Sequence, residues 1–172
     1  RLYVAHSNFP AKPDESSLEI FEAATLRPVA RHVFERPLGS LTWAIPDREG
    51  WLACFAHYRS NSDPAKSRLV RYDADWKVMA VWSFPPELVE RFGKYSSSCG
   101  GLGLDGFVWV SGHDANELYR LSLPEGGGVA RWAGTVPFVS AGQAFAWDPT
   151  RPRELYSIQR KTREVILSRL GE

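Results

Sequence analysis

Short runs of alternating apolar and polar residues recur along the chain and predict β-strands throughout. The clearest stretch is residues 98–123, which reads SCGGLGLDGFVWVSGHDANELYRLSL. Its first two runs, residues 99–104 and 107–112, are joined by Asp105-Gly106, and Asp-Gly between apolar runs is a strong hairpin signal. Residues 117–123 alternate, and residues 129–136 follow a turn of three glycines. The pattern predicts a four-stranded antiparallel meander, which is one blade of a β-propeller.

The rest of the chain repeats this unit. The first strands read GSLTWAIP, GGLGLD and GQAFAWDP. The second strands read LYVAH, WLACFAH, FVWVSGH and ELYSIQ, and the third strands read LEIFE, LVRYD, LYRLS and VILSR. Two loops also match, since HSNFPAKPDESS and HYRSNSDPAKS share Ser-Asn and Pro-Ala-Lys. A period of roughly 40 to 60 residues with several short strands predicts a propeller.

We therefore predict an all-β fold, a partial β-propeller of about three to four four-stranded antiparallel blades in a single domain over residues 1–172. The predicted units are residues 1–37, 38–97, 98–138 and 139–172. Residues 6–17 are predicted to form a polar loop and residues 85–93 a short helix. The first unit lacks an inner strand and the last lacks an outer one. Trp109 should pack between adjacent blades.

Composition narrows the function classes. The chain is 44% hydrophobic and 13% aromatic, which is sufficient for a packed core. Its formal net charge is +1, with basic residues scattered, which argues against nucleic-acid binding. No apolar run approaches the ~20 residues of a membrane helix. The two cysteines, Cys54 and Cys99, are either buried free thiols or a disulfide.

The strands just quoted, above all GFVWVSGH and NELYRLSL, resemble NHL-like and SMP-30/lactonase-like propellers of six or seven blades. The segment from His57 onward also resembles bacterial propellers described as cycloisomerase-like. This resemblance implies a divalent metal in the central funnel, held by carboxylate or amide ligands at the mouths of the inner strands. The matching mouths here are Gly39-Ser40, Ser98-Cys99 and Gly142-Gln143, which offer no carboxylate, although hard cations prefer several charged oxygens.

Three histidines, His6, His57 and His113, follow the second strand of successive units. Each either forms local hydrogen bonds, acts as a catalytic or ligand-binding group, or joins the others around a transition metal. We take His57 and His113 as catalytic candidates and His6 as a ligand-binding one. Asp114 is also taken as a ligand-binding candidate, and it either orients His113 or forms a turn with Asn116.

Further ligand-binding candidates are polar residues near the predicted funnel. Ser40, Ser98 and Gln143 either bind substrate oxygens or form a satisfied polar lining. Arg160 occupies the histidine position of the last unit, where it either binds a carboxylate or is simply solvated.

Two functions remain open at this point. The first is a propeller domain that binds a small molecule or a protein partner at its funnel face. The second is a lactonase- or cycloisomerase-like enzyme acting on a small cyclic acid or lactone. Because Arg1 falls within a predicted strand, we expect a longer parent protein. Either its missing N-terminal half or a second copy would close the ring and cover the apolar end faces.

Overall fold

A computed structural model describes residues 1–35, 37–48, 50–60, 62–140, 142, 144–151 and 153–171, apart from the side chains at positions 13 and 14. These residues form fifteen strands, one α-helix and one 3₁₀ turn. The strands form four sheets. The first has the order β1-β2-β3, with β1 (Leu2–Asn8), β2 (Lys12–Phe21) and β3 (Pro28–Phe34). The second has the order β11-β7-β6-β5-β4, with β4 (Ser40–Asp47), β5 (Gly50–Ala56), β6 (Arg68–Tyr72), β7 (Val78–Ser83) and β11 (Gly128–Val129).

The third and fourth sheets follow the same plan. The third has the order β12-β10-β9-β8, with β8 (Cys99–Leu102), β9 (Val108–Ser111), β10 (Glu117–Ser122) and β12 (Arg131–Pro137). The fourth contains, in order, β13 (Phe145–Trp147), β14 (Glu154–Gln159) and β15 (Glu164–Arg169). The helix α1 (Pro86–Phe92) connects β7 to β8, and the 3₁₀ turn (Pro64–Lys66) lies between β5 and β6.

The sheets stack in sequence order through their first strands. β1 lies beside β4, β4 beside β8, and β8 beside β13. Each interface is filled by an apolar cluster, because neighbouring sheets face each other with large side chains. The fold is a partial β-propeller, and the predicted fold class is confirmed. Trp109 is only 7% exposed and packs between the third and fourth sheets, as predicted.

The predicted polar loop over residues 6–17 is wrong. β1 continues to Asn8 and β2 begins at Lys12, so most of this segment is a hairpin. Asn8 donates a hydrogen bond to Glu15 at 2.6 Å, and Lys12 pairs with the same carboxylate at 2.6 Å. Polar residues can form strands here because their side chains pair with one another at the surface. A prediction from the pattern of apolar residues does not detect such a hairpin.

The predicted strand over residues 129–136 is also corrected. Gly128 and Val129 pair in parallel with Trp82 and Ser83 of the second sheet, and the outer strand of the third sheet begins only at Arg131. The approach depends on Gly127, where φ is +107° and an added Cβ would lie 2.7 Å from the Val81 carbonyl oxygen. Only glycine tolerates both the conformation and the contact.

The two end sheets are packed on one face and open on the other. On the open face of the first sheet, exposed apolar side chains include Leu2, Val4, Val29 and Val33. On the fourth, they are Tyr156, Ile158, Val165 and Leu167. Strand alternation explains this, since neighbouring residues on a strand point to opposite faces.

Cys54 and Cys99 are both free and buried. Burial raises the pKa of the Cys54 thiol to about 12 and also raises the pKa of Cys99, so both behave as small apolar groups. Within the described ranges, no helix has the length and apolar character needed to cross a membrane.

Candidate functional site

The register of the inner hairpins defines one end of the sheets, which we call the loop end. Ser40 at the start of β4 pairs with Ala56 at the end of β5, and Cys99 at the start of β8 pairs with Ser111 at the end of β9. The connections that leave β5 and β9 therefore emerge at this end.

An aromatic row runs across the loop end, formed by Phe9, Tyr58, Tyr95 and His113. The Phe9 and Tyr58 ring centroids are 4.5 Å apart, and those of Tyr58 and Tyr95 are 6.2 Å apart. The His113 ring stacks on Tyr95 at 3.8 Å. These residues come from the connections β1–β2, β5–β6, β7–β8 and β9–β10. The row thus joins the loops of three sheets into one surface, and Lys94 lies 5.0 Å from the Tyr95 ring.

The row is partly buried. Burial raises the pKa of Tyr58 to about 12. The Arg59 amide donates to the Lys94 carbonyl oxygen at 2.9 Å, which ties the β5–β6 connection to the segment that carries Tyr95.

His57 is held by hydrogen bonds from both ring nitrogens. Nε2 lies 2.7 Å from the Leu38 carbonyl oxygen, and Nδ1 lies 3.1 Å from the Ser62 hydroxyl. A carbonyl oxygen only accepts, so Nε2 donates to Leu38. The observed role of His57 is to join two loop segments.

His113 has a carboxylate partner, since Nδ1 lies 2.6 Å from Asp114 Oδ1. Asp114 is exposed, so this pair is solvated. On the other side, Gly142 packs against the His113 backbone with φ at +57°, and a Cβ there would lie 1.6 Å from the His113 carbonyl oxygen. That glycine lets the chain leading to the fourth sheet pass directly over the loop.

His6 lies apart from the aromatic row. It is inside β1, and its Nδ1 is 3.4 Å from the Ser17 hydroxyl. Ser17 donates to Glu19 at 2.7 Å, and Glu19 pairs with Arg31 at 2.8 Å. The structure therefore does not bring the three histidines together. Among the described residues, no group of three His, Cys, Asp or Glu side chains could hold a metal ion.

The remaining candidates have separate locations. Ser40 is buried at the start of β4, and the Ser98 amide donates to the Ser111 carbonyl oxygen at 3.0 Å. Arg160 is exposed in the turn after β14. Gln143 falls outside the described residues.

Two arginines that the sequence reasoning missed face the next sheet from equivalent third strands. Arg71 Nε lies 2.7 Å from Asp47 Oδ2, and its guanidinium lies 5.0 Å from the Trp82 ring. Arg120 Nε lies 3.2 Å from Asp105 Oδ2. The aligned third strands LVRYD and LYRLS already placed both arginines at one position, which is the signal that could have found them.

A cleft of about 460 Å³ opens beside Arg71, between the second and third sheets. Asp47 and Arg71 line one side, and Leu102, Val108 and Leu123 line the other. It lies at the opposite end of the sheets from the aromatic row, because Asp47 ends the strand that Ser40 begins.

No protein-family model matches this chain, and neither does any curated protein sequence. Among solved structures, the β-propeller domain of Cps50 (Swd1) from Myceliophteria thermophila is similar, with a TM-score of 0.51 and 14% sequence identity, over 98% of this chain and 55% of that one. A protein of unknown function from Bacteroides caccae gives a TM-score of 0.48 and 11% identity, over 92% of this chain and 54% of that one. The first likeness shows the fold, and the chain spans about half the length of the propeller domain it matches.

Proposed function

We propose that this chain is part of a β-propeller scaffold that binds a partner, a protein or a small molecule, through the aromatic row at its loop end. The single observation that carries this proposal is the contact from Phe9 through Tyr58 and Tyr95 to His113, because it gathers the loops of three sheets into one surface. Aromatic residues are enriched at protein interfaces.

Selection of binders from a random peptide library tests the aromatic row. We expect enriched peptides to lose binding to Tyr95→Ser and to keep it with Val33→Ser, a matched control on the open face of the first sheet. Circular dichroism should show that both variants are folded. Failure to enrich any peptide would contradict a protein partner, and peptides that bind Tyr95→Ser as well as the parent chain would contradict the use of the aromatic row.

We also propose that the four units predicted from the repeats are blades of a ring, and that further sheets of a longer chain complete this ring. Two observations support this: the open apolar face of the fourth sheet, and the match of nearly the whole chain to 55% of a propeller domain. Light scattering over a concentration series tests it. We expect a monomer of 19.3 kDa that binds a hydrophobic dye. A stable dimer that excludes the dye would instead mean that a second copy closes the ring.

The lactonase- or cycloisomerase-like alternative has less support. Of its two catalytic candidates, His57 has both nitrogens engaged in local hydrogen bonds, and His113 pairs with an exposed carboxylate. No observation on the described residues favours this alternative over a scaffold.

A further inference from the structure

The second and third sheets contain the same arrangement of charged and aromatic groups, but the two arrangements differ in their exposure to solvent. In each sheet, an arginine on the third strand pairs with an aspartate that follows or ends the first strand. These pairs are Arg71 with Asp47 and Arg120 with Asp105. Each guanidinium also lies near aromatic rings of its own sheet. The two pairs form an internal comparison, because they share chemistry and differ in surroundings.

The pair of the third sheet lies at the surface. Asp105 is 36% exposed, and the Arg120 guanidinium rests 3.7 Å from the Phe107 ring. The neighbouring interface with the fourth sheet is filled by Trp109 and Trp147, whose ring centroids are 5.9 Å apart. A ligand meeting Arg120 would therefore compete with bulk water.

The pair of the second sheet is recessed. The Asp47 side chain is 3% exposed, and the cleft of about 460 Å³ opens beside it. Opposite the pair stand Val108 and Gly106, and a Cβ at Gly106 would meet no atom within 4 Å. The volume is in the range of sites for small molecules. Interactions with a charged group are stronger in a recessed site than at an open surface.

The polar side of the cleft contains hydrogen-bond donors of Arg71. Arg71 uses Nε for Asp47, and no other acceptor is bonded to its guanidinium among the residues that the structure describes. Its remaining N–H groups form the fork that matches a carboxylate. Arg48 and Glu125 also line the cleft, and both are exposed and carry opposite charges. Because Asp47 accepts the hydrogen bond from Arg71 Nε, it is a positioning residue that fixes the orientation of the Arg71 guanidinium.

We propose that this cleft binds a small aliphatic carboxylic acid. The carboxylate accepts hydrogen bonds from Arg71, and the hydrocarbon chain contacts Leu102, Val108 and Leu123. This site lies at the opposite end of the sheets from the aromatic row and does not depend on the function proposed there.

Titration of the ¹⁵N-labelled chain with hexanoate, followed by amide chemical shifts, tests the proposal. We expect saturable shifts at residues around the cleft, and at least about tenfold weaker binding of hexanamide, which lacks the charged fork partner. Arg71→Lys keeps the charge but loses the fork, so we expect about tenfold weaker hexanoate binding. Arg120→Lys is the matched control and should bind as the parent chain does.

A second variant covers the case in which Arg71→Lys disturbs the fold. Leu123→Trp leaves the Arg71–Asp47 pair intact and fills the cleft, so it should abolish the hexanoate shifts. The proposal is overturned if hexanoate causes no saturable shifts, if hexanamide binds equally well, or if Leu123→Trp binds like the parent chain.

Discussion

The middle and end sheets are built from similar strands, but their burial differs. In β5 of the second sheet, every residue from Leu52 to Ala56 is at most 1% exposed. In β1 of the first sheet, no residue is fully buried. A strand covered on both faces becomes continuously apolar, whereas a strand covered on one face keeps its alternation. Position in the stack therefore determines how much of each strand is buried.

The two end sheets also differ from each other. The open face of the first sheet has a polar centre, where Ser17 and the Glu19–Arg31 pair are bonded to one another. The open face of the fourth sheet has an apolar centre, with Tyr156 paired to Leu167 and Ile158 to Val165. The polar centre lowers what the first face would gain from being covered. The fourth gains more from being covered by another sheet.

The largest effect should come from a tryptophan between two sheets. Trp109→Ala should lower the free energy of unfolding by about 3–5 kcal/mol, because it leaves a cavity in a packed interface. Tyr156→Ala, on the open face of the fourth sheet, should cost less than about 1 kcal/mol. Urea denaturation measures both. Equal losses would contradict the contrast between middle and end sheets.

A smaller effect should follow from breaking the recessed ion pair. Asp47→Ala leaves Arg71 unpaired and should cost about 2–3 kcal/mol, below the ~3–5 kcal/mol of a fully buried pair, because Arg71 is 27% exposed. Glu19→Ala breaks the pair with Arg31 on the first sheet and should cost about 0–1 kcal/mol. The same denaturation experiment compares them, and a larger loss for Glu19→Ala would reverse the ranking.

Acid should weaken the contact between α1 and the third sheet. Hydrogen bonding to Arg91 holds the pKa of Glu117 below its usual value. A lowered folded-state pKa gives stability that is present above the unfolded pKa and is lost as the pH falls through the folded one. The parent chain should therefore lose more stability than Glu117→Gln between about pH 5 and pH 3. Parallel pH profiles would argue against this contribution.

The smallest effect is expected on the open face of the fourth sheet. Val165→Lys should change the free energy of unfolding by less than about 0.5 kcal/mol and should reduce dye binding. Val110→Lys, in the core of the third sheet, is the matched control and should prevent stable folding. Thermal denaturation and dye fluorescence measure these outcomes. A large loss for Val165→Lys would mean that this face is already covered.

The sequence predicted the strands well where a local pattern determines them. Alternation around Tyr119 and the Asp105-Gly106 turn are properties of neighbouring residues, so the central hairpins could be located in advance. The parallel pairing of Gly128 with Trp82 could not be, because a strand of two residues has no alternation. The extension of β1 past His6 depends on side chains that pair across the hairpin.

The candidate site was predictable only in part. The position of His57 and His113 after matching strands led to the loop end. The aromatic row itself was missed, because Phe9, Tyr58 and Tyr95 have no common spacing and come together only through the stacking of the sheets. The pairing of Arg71 with Asp47 joins the first and third strands of a sheet, and a single sequence carries no direct signal of such a contact.

The short strand β11 has a consequence for the order of folding. Most strand pairs here join segments that are adjacent along the chain and can form early as local hairpins. β11 instead returns to β7 across the helix and three strands of the third sheet, where the Ala130 amide donates to the Ser83 carbonyl oxygen at 2.9 Å. Closing that long loop has a high entropic cost until the third sheet is in place. The second and third sheets should therefore exchange their amide hydrogens as one cooperative unit.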